Sequence, residues 1–418
     1  MTTPVTTVSV GFPTSTGFGN ALQLDGLNIA RNQLDTGILG GIAFADLTSL
    51  VESVTITRGR NRQLDQFNAG TATVVFNNSS RILDPLNQSS PYWQGAPYNT
   101  TGVLPRCPIT ISSNGIPIYT GLVTDWNLSY DIQPNGDRMY AQCSDVFTVL
   151  ANQALNAVTP PAHELSSDRI NTVLNYPEID YQGARSIGTG SSYLGAYAIS
   201  QDTEVLNYLQ QVTTSEQGYF FVAANGTLTF KGRSSVLNPT AGATFNTTGT
   251  ALPFQSIENL FGDELLYNYI ITESPAGAVQ TTSNATSIAA FQTQQYAITN
   301  LLNDTVTEVA AIGNYLLGKY QNPVLRFTGI SNELSALSTA NQNICLSLDL
   351  TSIATVVMAY TTGTPATVSQ TLIVSGVSHS ITPSSHLISY NFESTDGNQY
   401  MTLDNAIFGT LDNNLLSF

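Results

Sequence analysis

At 418 residues, 42% of them apolar, the chain is long enough to bury more than one core, and wholesale disorder is excluded. Asp, Glu, Lys and Arg make up only 10%, against about 25% in ordinary soluble domains, and neutral polar residues and glycine fill the difference. A net charge of −16, from 29 acids and 13 bases, repels phosphates at long range and argues against tight or sequence-specific nucleic-acid binding. A surface solvated by uncharged groups loses little desolvation energy when another subunit covers it, so this composition favours an assembling protein. A secreted or cell-surface β-protein would share the bias. The N-terminal Met1 to Thr7 has neither a basic nor a continuous apolar run, so no signal peptide is expected, and no apolar stretch reaches membrane-spanning length. Cys107, Cys143 and Cys345 lie in no C-x-x-C pair and are expected as buried thiols.

Along the chain, Arg58-Gly59-Arg60-Asn61-Arg62 comes first. As a strand it would place all three guanidinium groups on one face at intervals of about 7 Å. Three readings are open: pairing with carboxylates across a domain or subunit interface, a solvated edge that resists aggregation, and phosphate contact. Asp65 and Asp84, or acids of a neighbouring subunit, are natural acceptors. On the interface reading, Arg60→Glu blocks assembly and leaves the subunit folded.

Asn-Gly steps at 114–115, 135–136 and 225–226 each sit between strand-like runs and predict type I′ hairpins, because both residues tolerate positive φ. The first two chain Pro108 to Cys143 into a meander. Helices are few: one after Ser167, one over Glu204–Val212 with Asp202 as N-cap, and one over 305–320 that Pro323 stops. Ile118–Val123 and Leu372–Val377 each lead through a strand and turn to an acid, either a duplicated domain or two similar meanders. The pattern predicts a mainly β, multidomain chain with two β-barrel-like domains flanking an α+β segment: 1–157, 158–262 and 263–418.

No nucleophile elbow, zinc-protease helix, Walker loop or dinucleotide fingerprint is present. His379 and His386 flank Pro383 and, with His163, are expected in turns or at the surface; Asp125, Asp131 and Asp137 are expected as solvated turn acids. No catalytic residue, cofactor or metal is expected, and the chain is not expected to be an enzyme.

The run from Thr57 to Tyr92, with its R-G-R step, Ala-Gly-Thr-Ala strand, Asp-Pro and Ser-Pro-Tyr, resembles the N-terminal signature of minor tail proteins, the tail-tip or baseplate hubs of long-tailed bacteriophages. Leu403 to Leu416 resembles that family's C-terminal signature, and Asp202 to Arg233 its helix and glycine-turn hairpin. Thr402 departs from the family, which more often has a large aromatic there. The resemblance implies a structural hub in the virion tail tip, assembled in the host cytoplasm as a homotrimer whose paired barrels form a pseudo-sixfold ring. The implied neighbours are the distal tail protein, the tape-measure protein and a central spike or fibre, around an acidic channel that genomic DNA crosses without adhering. A carbohydrate-binding adhesin and a polysaccharide-degrading tail enzyme are the alternatives.

Overall fold

The computed structural model describes residues 2–13, 41–94, 99–131, 136–161, 163–236, 241–247, 251–275, 277 and 279–395. Apolar residues recurring at period two write most of its strands. Thirteen join one sheet: β1 (Thr6–Pro13), β2 (Ile42–Asp46), β3 (Val51–Gly59), β4 (Asn68–Asn77), β5 (Pro108–Ser113), β6 (Ile116–Ser129), β7 (Arg138–Ser144), β8 (Ala243–Asn246), β9 (Ser256–Leu260), β10 (Arg326–Glu333), β11 (Ile353–Ala359), β12 (Thr367–Thr382) and β13 (Ser385–Ser394). Their order is β9-β10-β13-β12-β3-β4-β7-β6-β5-β1-β2, with β11 also paired to β12 and β8 to β11. All these pairs are antiparallel except β8–β11. The chain is β-rich, as expected. Among the described residues the pairings do not close into a ring, so the expected barrel-like units form one open sheet.

The seam between N-terminal and C-terminal strands is the β3–β12 ladder, running from Val54 opposite Ile381 to Gly59 opposite Gly376. Gly59 has φ +100°, and a Cβ there would lie 2.3 Å from the Ser375 carbonyl oxygen. Only glycine fits such a backbone approach. The strand therefore ends at Gly59, and the three arginines do not share one strand face. Arg58 alone continues the buried face of Val54 and Ile56; Arg60 and Arg62 follow on a loop.

At Asn114-Gly115 both residues have positive φ, as a type I′ turn requires. Strands β6 and β7 pair across the second Asn-Gly step, of which Asn135 lies outside the described residues. At the third, only Gly226 has positive φ; Ala223 donates its N–H to Thr227, and Ala224 to Gly226 form a three-residue loop. This joins Tyr219–Val222 to Leu228–Lys231, both largely buried.

Six helices lie among the described residues: α1 (Phe147–Ala151), α2 (Ser166–Leu174), α3 (Val205–Glu216), α4 (Ala285–Phe291), α5 (Val306–Tyr320) and α6 (Thr339–Ser347). In α3 the N-cap is Glu204, not Asp202, which takes φ +63° in the preceding turn; Thr203 and Glu204 first pair with Ala154 and Leu155. The Thr305 hydroxyl accepts from the Glu308 N–H and donates to its carboxylate, capping α5. Val309, Ile312, Leu316 and Tyr320 of α5 pack on Ile270, Ile298 and Leu301 as a small second core, apart from the large one that fills the main sheet.

Candidate functional site

Arg58 and Arg60 reach acids far along the chain, and the middle hairpin closes over both pairs. Arg58 Nη2 lies 2.8 Å from Asp349 Oδ1. Asp349 also accepts from the backbone N–H groups of Ala224 (2.7 Å) and Leu350 (2.8 Å). Lys231, on the same hairpin, donates to the Thr351 hydroxyl at 2.7 Å. Arg58 Nε and Nη1 are buried without a hydrogen-bond partner, so this guanidinium gains less than its full bonding capacity.

Arg60 pairs with Glu393 of β13, and the two side chains are only 12% and 0% exposed. Its Nη1 donates to the Asp65 carbonyl at 2.9 Å, and its backbone N–H donates to Ser375 at the same distance. The guanidinium carbon stands 4.7 Å from the Phe67 ring centroid and 5.5 Å from that of Tyr219, close enough for cation–π attraction. Tyr219 donates its hydroxyl to Glu393 at 2.6 Å. Burial alone would raise the Glu393 pKa; the charges of Arg60 and Lys319 and the Tyr219 and Arg60 hydrogen bonds outweigh it and hold the carboxyl below its ordinary range. Burial also opposes the charge on Lys319, but Tyr320, Tyr315 and Glu393 keep its ammonium above its ordinary pKa.

The side chains of the other sequence-predicted residues lie apart from these pairs. Arg62, 71% exposed on its side chain, sits 3.3 Å from Glu264, a solvated contact worth about 0–1 kcal/mol. Asp65 contributes its carbonyl, and its side chain is exposed. Buried Asp84 accepts from Arg81 and from the Leu86 N–H, organising the turns after β4.

Asp349, Glu393, Tyr219, Lys231 and Lys319 were not singled out in the sequence. The one signal lay in the repeated pattern of strand, turn and acid: one copy ends on Glu393 and the other on buried Asp145. Burial pushes the Asp145 carboxyl up to about 7, against the Gly70 and Phe147 N–H groups and the Arg58 charge.

His379 and His386 are not at the surface. Both are buried, with His379 Nδ1 and His386 Nε2 3.0 Å apart, and Glu333 accepts the His386 backbone N–H. His163 sits 3.2 Å from Asp304. Asp125 and Asp131 are exposed, and the three cysteines are buried free thiols. Among the described residues no three His, Cys, Asp or Glu side chains converge as metal ligands, and no helix is long and apolar enough to cross a membrane.

No family model and no curated protein matches the chain. Solved structures do. A tail protein from Neisseria meningitidis MC58 aligns with TM-score 0.55 at 11% identity, over 85% of this chain and 95% of that one. The fold is that of phage tail proteins. A 43 kDa tail protein of prophage MuSo2 from Shewanella oneidensis gives TM-score 0.52 at 12% identity, over 85% and 96%. The phage tail-like fold thus extends over most of this chain. The C-terminal stretch 403–416 lies outside the described residues.

Proposed function

We propose that this chain is a structural, non-enzymatic subunit of a bacteriophage tail tip, a hub that joins the tail tube and distal tail protein to a central spike or fibre. The observation that carries the reading is the single sheet shared by N-terminal and C-terminal strands, with two buried ion pairs at its seam, in a chain that aligns along nearly the whole length of two phage tail proteins. A hub must carry load between neighbours without its parts sliding. A continuous hydrogen-bonded ladder resists such sliding, and buried charge pairs fix its register.

On this reading the chain works as a homotrimer in the virion, with the tape-measure protein among its neighbours, and its acidic character lets genomic DNA pass without adhering. On the same reading 1–157, 158–262 and 263–418 are its domains, and Arg58, Arg60, Arg62, Asp65 and Asp84 serve the interfaces between domains or subunits. Multi-angle light scattering of the purified chain, alone and mixed with the distal tail protein, tests the assembly. A trimer that binds that protein supports the reading. A monomer at high concentration that binds no tail component contradicts it.

A further inference from the structure

Beside Arg60 the junction leaves a cavity of about 260 Å³, walled by the 63–66 loop, the end of α3, the strand Gln295–Ile298 and the last turn of α5. It is smaller than the pockets that hold drug-sized molecules and suits one compact ring. Its charges are already matched. Arg60 pairs with Glu393, and Lys319 faces Glu393 together with the phenols of Tyr320 and Tyr315. An anion placed there would meet the Glu393 carboxylate, and the net charge of −16 repels one at longer range.

What the cavity leaves open is hydrogen bonding by neutral groups. Gln63, only 8% exposed, lines it and has a buried Oε1 that accepts from nothing. Arg60, which also lines it, has a buried Nε that donates to nothing. The hydroxyls of Tyr315 and Tyr320, on α5, make no hydrogen bond among the described residues. An acceptor and a donor left open at one cavity fit a group that can serve both. A carboxylate only accepts and an ammonium only donates, whereas a hydroxyl does either. Several hydroxyls on one small ring can meet such groups at several points, and the half-buried rings of Tyr296 and Tyr315 offer apolar surface to its C–H groups.

We infer that this cavity binds a neutral saccharide, one pyranose unit at a time, with a sugar hydroxyl donating to Gln63 Oε1 and others bonding to Arg60 and the phenols of α5. The site goes beyond the proposed part in the tail tip and does not depend on assembly, so either reading can fail while the other stands.

Saturation-transfer difference NMR on the full chain tests this, with glucose, galactose, rhamnose and N-acetylglucosamine as probes at millimolar concentration and glycerol as a polyol that lacks the ring. The expected result is transfer to the ring protons of at least one of the four and none to glycerol. In Gln63→Leu the dissociation constant of that sugar rises about tenfold, the worth of one hydrogen bond. In Tyr315→Phe, which keeps the ring and removes the hydroxyl, it rises several-fold; circular dichroism checks that both variants are folded. Should Gln63→Leu fail to fold, slower acetylation of Lys319 in the native chain when the sugar is present serves in its place. An oligosaccharide of the same sugar is then titrated: equal or tighter binding assigns the site to a glycan chain and weaker binding to the free sugar, and either supports the inference. No transfer to any of the four sugars, transfer to glycerol of equal strength, or affinities unchanged in both folded variants overturns it, and the open atoms then bond only to water.

Discussion

Arg60, just past the end of β3, and Glu393, near the end of β13, are 333 residues apart and form an ion pair almost out of contact with solvent. Each charge is expensive to bury alone and tolerable only because the other is present. Arg60→Met leaves the Glu393 carboxylate buried beside Tyr219 and is expected to cost about 3–5 kcal/mol. Glu393→Met is expected to cost a similar amount by stranding the guanidinium. The double variant is expected to lose less than the sum of the two, a coupling read from urea midpoints in a double-mutant cycle.

The same geometry changes the expectation for Arg60→Glu. Placed beside Glu393, a second carboxylate repels it within the fold. This variant is therefore expected to lose thermal stability as an isolated subunit and not merely to fail in assembly. Circular dichroism melting of the purified variant distinguishes the two outcomes.

Gly59 closes the β3–β12 seam at φ +100° with the Ser375 carbonyl against its α-carbon. Gly59→Ala adds backbone strain and a direct clash, and is expected to destabilise by more than about 1 kcal/mol. Gly115→Ala serves as the control: it has similar positive φ, but nothing lies within 4 Å of the added Cβ. The difference between the two variants in denaturant midpoint measures the steric part.

The buried histidine pair makes stability depend on pH. Burial, then His386, then Arg58 hold His379 well below its ordinary pKa, while burial pushes His386 down to about 4 despite Glu333. In the unfolded chain both histidines take up protons near pH 6.5. Their contribution is complete above that value and lost as pH falls towards 4, at a slope of up to about 1.4 kcal/mol per pH unit for each histidine. Asp145, raised to about 7, acts with the opposite sign, because its contribution fades as pH rises through 7. Subtracting the urea-midpoint profile of H379Q/H386Q from that of the parent isolates the pair. The difference is expected to slope between pH 6.5 and 4 and to be flat above 7.

Thr305 caps α5 through Glu308. Thr305→Ala is expected to cost about 1 kcal/mol, and Thr305→Asp to restore most of it, both measured by thermal melts.

What could be read from the sequence was local. Thr305, Glu308, the apolar stripe from Val309 to Tyr320 and Pro323 lie within one short stretch, so α5 was legible to within a residue or so. Asn114-Gly115 carries its own turn geometry in two residues. The Arg58-Gly59-Arg60 run was visible as unusual, but its partners Asp349 and Glu393 are brought in by a ladder between strands far apart in sequence, which no local pattern encodes. The hairpin around Pro383 was predicted, yet the burial of His379 and His386 was not, because strands remote in sequence, among them β3 and β5, cover them. Among the described residues no ring of pairings closes either expected barrel, and the sequence could not show this: a meander shows which strands are neighbours, not which edges stay free.

On the proposed reading this chain forms a ring of the phage tail tip that joins the tail tube to the central spike or fibre. A cryo-electron microscopy map of the virion tip tests that most directly. The expected result is this fold in three copies about the tail axis, between the tail tube and the central spike or fibre. A particle whose tip contains no density for this fold would contradict the account.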